Sequence, residues 1–411
     1  MSPPVPIPIL GLGVSSSLWS VAGLLVLFAA LATVVLSLVW LERKLLGRLQ
    51  RRLGPTRTGP MGLLQPVADA LKLLLKEDIL PESSQKAMFW LAPVLVVVPA
   101  FMIWVTIPAS QNAVVQNLDL GLLYITAFAV MGILGLVLAG WASANKYGTL
   151  GGLRAAAQLI SYEIPVIMVV ISVAMLAQSL DLREIVARQD SYPFVLLQPL
   201  GLVIFFIAGL AEVGRTPFDI YFAESEIVGG PFVEYSGAHW SVFFLAEYMN
   251  TFAVAALTVL LFLGGWSGPL LSGGWEVIWF LVKVYAVIMV IFWIRGTFPR
   301  LRIDQLMAFA WKVMVPLSFL TVVITAVYQF YAWPAWSLTL MSSAGLLVVA
   351  GFIYRQLAGP AARVAQVRAR QRAQEQSRRV RPASISRNNP LTGNPSNNNP
   401  LAGNPVAADA E

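Results

Sequence analysis

Residues 18–41 read LWSVAGLLVLFAALATVVLSLVWL, and this stretch decides the fold of the chain. It carries no charge over a length that exceeds the roughly 20 apolar residues a helix needs to cross a bilayer. The rest of the 411-residue chain has the same character, because 57% of the residues are hydrophobic and only 12% are charged. Soluble domains contain about 25% charged residues. The composition therefore excludes a soluble globular enzyme and predicts an all-α polytopic membrane protein.

Nine apolar runs are candidate membrane spans. They lie at residues 18–41, 88–108, 122–141, 164–178, 194–211, 240–263, 277–294, 313–331 and 337–354. Cytoplasmic loops carry an excess of Lys and Arg, and this excess sets the expected orientation. The connections after the first, third, fifth, seventh and ninth runs hold 24 of the 28 Lys and Arg residues, whereas the N-terminus and the other connections hold 2. We therefore predict an N-terminus outside the cell and a C-terminus in the cytoplasm.

The same division predicts the domain organisation. A membrane domain covers residues 1–354, with cytoplasmic loops at 43–86 and 213–239, and a tail covers residues 355–411. Within the first loop, apolar side chains at helical spacing predict an amphipathic helix over residues 61–76, lying on the membrane or under a partner. The tail is rich in Arg, Gln and Asn and contains an imperfect ten-residue repeat, which predicts a disordered, basic segment.

Cysteine is absent and histidine occurs once, at position 239. This composition excludes disulfides, thiolate metal sites, Fe–S ligation and thiol catalysis. A haem held by two histidines is excluded as well, because the chain offers only one. We therefore expect no cofactor and no metal in this chain, no catalytic group for electron transfer, and any redox centre in a partner chain.

Among the ionisable side chains in or at the edges of the predicted spans, three carboxylates and one lysine are candidate functional groups: Glu163, Glu212, Glu247 and Lys283. On the predicted boundaries Glu163 opens the fourth span, Glu212 closes the fifth, and Glu247 lies about 10 Å inside the sixth. Charges inside a bilayer are costly, which makes these residues candidates for a route on which protons or ions move. The alternative is that the shallower carboxylates are solvated at headgroup level and that Lys283 snorkels to the interface.

The loop between the fifth and sixth predicted spans is unusually acidic for a cytoplasmic loop. It contains four carboxylates and a single Arg or Lys: Asp219, Glu224, Glu226, Glu234 and Arg215. We interpret it as a docking or proton-uptake surface, although an ordinary solvated acidic loop has the same composition. Cations stand in the loops after the first and seventh spans. Salt bridges between these loops would join the cytoplasmic face into one body.

Short motifs occur in a fixed order along this nine-span frame. They include Glu42-Arg43-Lys44, Gly59-Pro60, Ile160-Ser-Tyr-Glu163, Arg215-Thr-Pro-Phe-Asp219, Glu234-Tyr-Ser236, Ala246-Glu-Tyr248 and Trp293-Ile-Arg295. Their order and spacing over roughly residues 20–350 resemble the H-type membrane subunit of the proton-pumping NADH-quinone oxidoreductase, respiratory complex I. Mitochondrial NADH dehydrogenase subunit 1 belongs to the same family.

The resemblance implies a membrane protein without a redox cofactor, located where the hydrophilic arm of the complex meets its membrane arm. It would form the chamber through which a lipid quinone, ubiquinone or menaquinone, reaches the terminal Fe–S cluster. NADH, FMN and Fe–S clusters are then expected in partner subunits, and a bacterial inner membrane is the expected location. The chamber would be lined by Arg43, Arg52, Asp69, Arg215, Asp219, Glu224, Glu226, Glu234, Arg295 and Arg300. The proton route would use Glu163, Glu212 and Glu247, to which we add Lys283.

The chain also departs from the usual family pattern. Val130 stands where relatives place a glutamate in the third span. Tyr221 and Phe222 replace a usual Pro-Glu pair, and Pro231 and Phe232 replace Tyr-His. Two other functions stay open. The resemblance also fits the membrane subunit of an energy-converting hydrogenase, and a polytopic membrane protein can be an independent ion transporter. A transporter commonly shows an inverted repeat, which we do not find in the sequence.

Overall fold

The structure is a computed structural model that describes residues 16–190, 192–268, 275–348 and 351. Within these ranges the chain is helical and contains no β-strand. The helices are α1 Ser16–Leu49, α2 Gln65–Leu75, α3 Lys86–Met102, α4 Gly121–Ala142, α5 Lys146–Ala177, α6 Leu182–Ala187, α7 Phe194–Leu197, α8 Pro199–Val213, α9 Glu224–Ile227, α10 Gly237–Phe262, α11 Glu276–Thr297, α12 Ile303–Phe309, α13 Val315–Tyr331 and α14 Ala335–Val348. The predicted disordered tail, residues 355–411, lies outside the described residues.

The predicted spans coincide with helices along the described chain. Seven helical segments there are long and apolar enough to cross a membrane: α1, α3, α4, α5, α10, α11 and the continuous segment Ile303–Tyr331. Two shorter apolar helices, α8 and α14, stand at the fifth and ninth predicted runs. The all-α polytopic membrane class is therefore confirmed, while the orientation stays a prediction from the Lys and Arg distribution.

The fourth span begins much earlier than hydropathy predicts. Instead of starting at residue 164, α5 starts at Lys146, and Asn145 caps it by accepting a hydrogen bond from the Tyr147 backbone amide. The added turns are rich in glycine, which lowers their hydropathy but allows close helix packing. A Cβ atom on Gly151 would lie 2.5 Å from the Cα atom of Gly230. As a result Glu163 lies near the middle of a 32-residue helix and does not open the span.

The fifth predicted span is interrupted. A short helix, α7, ends at Leu197, and α8 begins at Pro199 after a non-helical Gln198 with φ −136°. Proline disfavours the helical conformation in the residue before it, which explains the break. The Gln198 amide donates to the hydroxyls of Ser172 on α5 and Thr325 on α13, the latter at 2.6 Å. The break thus places a polar side chain where it joins three helices.

Helix α10 is the central helix of the described bundle. Over the most apolar 18-residue stretch of α10, 78% of the residues are buried. The corresponding share is 22% for α1 and 33% for α11. A helix that is apolar on all sides and covered by neighbours belongs in the interior of a bundle. Helices α3, α8 and α11 all pack against it. Most side chains from Ala246 to Phe262 are therefore enclosed by other helices.

The predicted amphipathic helix is present as α2, which begins at Gln65 after a 3₁₀ turn at Pro60–Gly62. The turn is sharp because Gly62 has φ +77°, and a Cβ atom there would lie 2.2 Å from the Pro55 carbonyl oxygen. The apolar side chains of this segment are exposed, among them Leu64, Val67, Leu71, Leu74 and Leu75. An exposed leucine face is available to a membrane surface or a partner.

Gly140→Ala tests the close packing of α4 against α5. A Cβ atom at Gly140 would lie 2.5 Å from the Gly148 carbonyl oxygen, so the helices must separate, at a cost of about 1–3 kcal/mol. Gly132→Ala on the same helix is the matched control, because a Cβ atom there meets nothing within 4 Å. We expect a lower midpoint of thermal unfolding for the first variant only. Equal midpoints for both variants would contradict the packing described here.

Candidate functional site

A buried arginine joins three segments that are remote in sequence. Arg215, just after α8, is 4% exposed. Its Nη1 atom lies 3.6 Å from Glu42 Oε2 at the end of the apolar part of α1, and its Nε atom lies 3.2 Å from Glu247 Oε1 on α10. One cation therefore pairs with two carboxylates in a site almost closed to solvent.

Two further residues complete this charge cluster. The Tyr248 hydroxyl donates to Glu42 Oε2 at 2.7 Å, and the Arg215 guanidinium stacks over the Tyr248 ring at 4.3 Å from its centroid. Arg295 on α11 binds the other oxygen of Glu42. Sequence reasoning missed Glu42 and Tyr248 as site residues, although both stand in the motifs that carry the family resemblance. A carboxylate at the end of an apolar run adjoining Arg and Lys was the available signal.

The cluster keeps Arg215 charged. Burial lowers the pKa of its guanidinium, but Glu247, Tyr248 and Glu42 raise it, and the net direction is upward. Arginine is the cation that tolerates such a site, because its guanidinium loses its proton only at very high pH. A fixed positive charge is therefore held between α1 and α10.

A second ion pair lies beside the first. Arg300 Nη2 lies 3.1 Å from Asp219 Oδ2, which joins the loop after α11 to the acidic loop. Burial raises the pKa of Asp219, and Arg300, Arg295 and Arg215 counteract this only in part. The Asp219 Oδ1 atom is buried without a hydrogen-bond partner among the described residues. This carboxyl group thus lies within the electrostatic field of three arginines.

The three carboxylates predicted for the proton route line one cavity. The cavity has a volume of about 100 Å³ and is enclosed by α3, α4, α5, α8 and α10. Glu163, Glu212 and Glu247 all contribute to its wall, together with Asn250 and Thr126. The remaining lining is mostly apolar. Helices that are distant in sequence therefore bring these carboxylates together, and Glu247 belongs to both the cavity and the charge cluster.

The cavity is polar enough at one wall to hold water. Both carboxylate oxygens of Glu163 are buried and have no hydrogen-bond partner among the described residues. Buried polar groups in proteins are almost always satisfied by protein or by ordered water. The cavity volume of about 100 Å³ exceeds the roughly 10–15 Å³ that one water molecule needs, so the cavity has room for water. The geometry can thus support a short hydrogen-bonded chain between carboxylates.

Most departures from the family pattern meet at this cavity. Tyr221, Phe222 and Phe232 all line it. Their rings form a continuous series, with centroids 4.8 Å apart between Tyr221 and Phe222 and 4.8 Å apart between Phe222 and Phe232. Val130 does not line the cavity and is 42% exposed on α4. One wall of the cavity is therefore aromatic, and it consists of residues at which the sequence departs from the expected family pattern.

Lys283 is not brought to the carboxylates. Its ammonium group donates to the carbonyl oxygens of Leu263, Gly265 and Ser267, at 2.8, 3.0 and 2.6 Å. These carbonyls follow the C-terminus of α10, whereas Glu247 lies 16 residues earlier, about 24 Å along the helix. A cation at a helix C-terminus is stabilised by the free carbonyls there. The structure gives Lys283 a capping contact, and the predicted place in the proton route has no support from its position.

The other predicted chamber residues form separate contacts. Arg43 pairs with Asp69 on α2, and Arg52 donates to Gln50. Two acidic-loop carboxylates bind groups at α5, Glu226 with Arg154 at 2.7 Å and Glu234 with Asn145 at 2.6 Å. The side chain of Glu224 lies outside the described residues.

Of the salt bridges predicted between the cytoplasmic loops, one is present. Arg300 in the loop after α11 pairs with Asp219 in the acidic loop. The first loop is instead joined to the start of α10 by Asp78, which contacts His239 and Ser236.

Among the described residues, no group of three or more His, Cys, Asp and Glu side chains is arranged to hold a metal ion.

Arg215→Met tests the charge cluster. Removing the cation leaves buried carboxylates unpaired, so we expect a loss of about 3–5 kcal/mol in the free energy of unfolding. Arg154→Met is the matched control, because its partner Glu226 is 42% exposed and such pairs contribute about 0–1 kcal/mol. The double variant Arg215→Met, Glu247→Gln should recover part of the loss in a double-mutant cycle. Equal losses for the two single variants would be inconsistent with a buried cluster.

Comparison with known proteins identifies the family of the chain. A sequence profile of the NADH dehydrogenase family matches residues 22–326. The H-type subunit of NADH-quinone oxidoreductase from Dehalococcoides mccartyi strain 195 is 47% identical over 330 residues, which cover 80% of this chain and 92% of the relative. The protein of the same name from Geobacillus kaustophilus is 49% identical over 314 residues, 76% of this chain and 93% of the relative. The chain therefore belongs to the NADH dehydrogenase family of multi-pass membrane subunits.

Proposed function

We propose that this chain forms the quinone-access chamber of an NADH-quinone oxidoreductase and links quinone reduction to proton translocation. The observation that carries the proposal is the position of Glu247. It pairs with Arg215 in the charge cluster and also lines the cavity that contains Glu212 and Glu163. A charge change at the cluster can therefore reach groups inside the membrane through a shared side chain.

The proposed chemistry follows from the charges. Reducing a quinone creates an anion or takes up two protons, and either event changes the electrostatic field at its binding site. Asp219 and the arginines around it would sense that change, because nearby charges shift the proton affinity of a carboxyl group. The altered pairing of Arg215 would then change the proton affinity of Glu247. Such reciprocal dependence between two sites is a coupling free energy.

The proposed chamber includes residues that make different contacts in this chain alone. Four of them form ion pairs within this chain: Arg215, Asp219, Arg295 and Arg300. Beside them we propose Arg43, Arg52, Asp69, Glu224, Glu226 and Glu234 as chamber residues that meet the quinone when the partner subunits are present. Arginine suits such a wall because it stays charged and binds oxygen atoms through a planar set of donors.

Within the complex we propose that this chain carries no redox centre. The absence of cysteine and the single histidine support this role, because Fe–S clusters and bis-histidine haems need ligands that the chain lacks. Electron carriers would then belong to partner subunits, with NADH as donor. Its relatives are bacterial, which supports a bacterial inner membrane as the location.

Glu212→Gln and Glu247→Gln, each in the assembled complex, test the coupling role. Both variants remove a protonatable group from the cavity while keeping its shape, so we expect proton pumping to fall about 10²-fold or more. Inhibitor-sensitive NADH:quinone reduction and acidification of proteoliposomes, read with a pH dye, measure electron transfer and pumping separately. Glu276→Gln, at the opposite end of α11 from Arg295, is the control and should leave both unchanged.

Unchanged pumping in both cavity variants would contradict the coupling role and indicate that the chain has a purely structural role in the complex. Co-purification decides between the remaining functions. Partners that oxidise NADH support the proposal, and partners that evolve hydrogen indicate an energy-converting hydrogenase. A chain that purifies without Fe–S partners would favour an independent transporter.

A further inference from the structure

Tyr221 is a buried residue of the acidic loop that lies beside the cavity carboxylates. It is 3% exposed and lines the same cavity as Glu212 and Glu247. Its hydroxyl donates to the Val213 carbonyl oxygen at 3.3 Å, so it lies beside the turn that carries Glu212. Few cavity-lining side chains are polar, and among the described ones Tyr221 supplies the phenolic hydroxyl.

The electrostatic neighbours of this hydroxyl come from both groups of charges. Glu247, Asp219, Arg215 and Glu212 all act on it. Asp219 and Arg215 belong to the ion pairs described above, and Glu212 belongs to the cavity. The ring therefore lies within the electrostatic field of both groups of charges.

We propose that the Tyr221 hydroxyl relays protons between Glu247 and Glu212, next to the position at which relatives usually carry a loop carboxylate. The inference rests on the proposed function of the cavity. It concerns a residue in which this chain departs from the family pattern, where Tyr221 and Phe222 replace the usual Pro-Glu pair.

The relay step balances without any further reactant. The hydroxyl first turns from the Val213 carbonyl oxygen toward Glu212. Protonated Glu247 then gives its proton to Tyr221 Oη, directly or through a cavity water, as the Oη–H bond breaks toward Glu212. Glu212 gains the proton, Glu247 becomes a carboxylate, and the tyrosine stays neutral. Rotation of the hydroxyl then restores the starting geometry. A hydroxyl can perform this step because it is both donor and acceptor.

The surroundings keep the hydroxyl neutral and in position. Burial raises the pKa of Tyr221 well above its usual value, with Glu247 and Asp219 raising it further, so the group retains its proton at neutral pH. Position is fixed by Gly214, since a Cβ atom there would lie 2.1 Å from the Tyr221 hydroxyl oxygen. The ring thus fills space that only glycine leaves open.

Tyr221→Phe in the assembled complex is the first test. It removes one oxygen atom and keeps the ring packing with Phe222. We expect the pumping rate to fall about 10²-fold, with a larger solvent isotope effect on the residual rate in D₂O. Tyr235→Phe is the matched control, because it removes another buried hydroxyl, one that has no hydrogen-bond partner among the described residues. A pumping rate for Tyr221→Phe equal to that of the control would overturn the relay.

Fluorinated tyrosine at position 221 tests the proposal even if the phenylalanine variant fails to assemble. Ring fluorination lowers the pKa of a phenol while keeping its size and its hydroxyl. We expect the pumping rate to change with fluorotyrosine at 221, because proton transfer through a hydroxyl depends on the proton affinity of its oxygen, and to stay the same with fluorotyrosine at 235. A purely structural role predicts no change at either position, and that result would also overturn the relay.

The outcomes separate this inference from the proposed function. If Glu212→Gln and Glu247→Gln abolish pumping while Tyr221→Phe does not, the cavity carries protons by water alone and only the relay fails. If all three variants pump like the parent complex, the coupling role of the cavity fails with it.

Discussion

The ion pairing of Arg215 with Glu42 and Glu247 is the interaction on which the rest of the site depends. It joins α1, α10 and the loop after α8, three segments separated by up to 205 positions in the chain. The carboxylates of Glu42 and Glu247 would repel each other if the Arg215 guanidinium did not lie between them. With that cation fixed, the helix ends around Arg215 can close over a charged site and α10 can remain buried.

Burial makes the charge cluster sensitive to any charge that is added nearby. Charges interact more strongly in a medium of low polarity, so an added negative charge near Asp219 has a larger effect there than at a hydrated surface. The aromatic series from Tyr221 through Phe222 to Phe232 keeps one wall of the neighbouring cavity apolar. Because Glu247 belongs to both places, the cluster and the cavity form one electrostatic unit rather than two sites.

Much of the fold could be predicted from hydropathy, because a bilayer forces every backbone polar group to be satisfied within a helix. Two differences between the predicted and observed spans have local causes. Hydropathy predicts the start of α5 18 residues too late, because glycine lowers the hydropathy of its first turns. Hydropathy does not predict the break at Gln198, because one proline and one polar side chain change the average of an apolar stretch very little.

By itself the sequence determined the membrane class, the lack of thiol chemistry and the three candidate carboxylates of the proton route. Composition and position along an apolar run are local properties that can be read from the chain directly. Only the tertiary structure decided which charges meet. It added Glu42 and Tyr248 to the site and bound Lys283 to the C-terminus of α10 instead. The reason is physical, because the energy of a charge in a membrane depends on its distance to partners on other helices, and separation along the chain does not determine that distance.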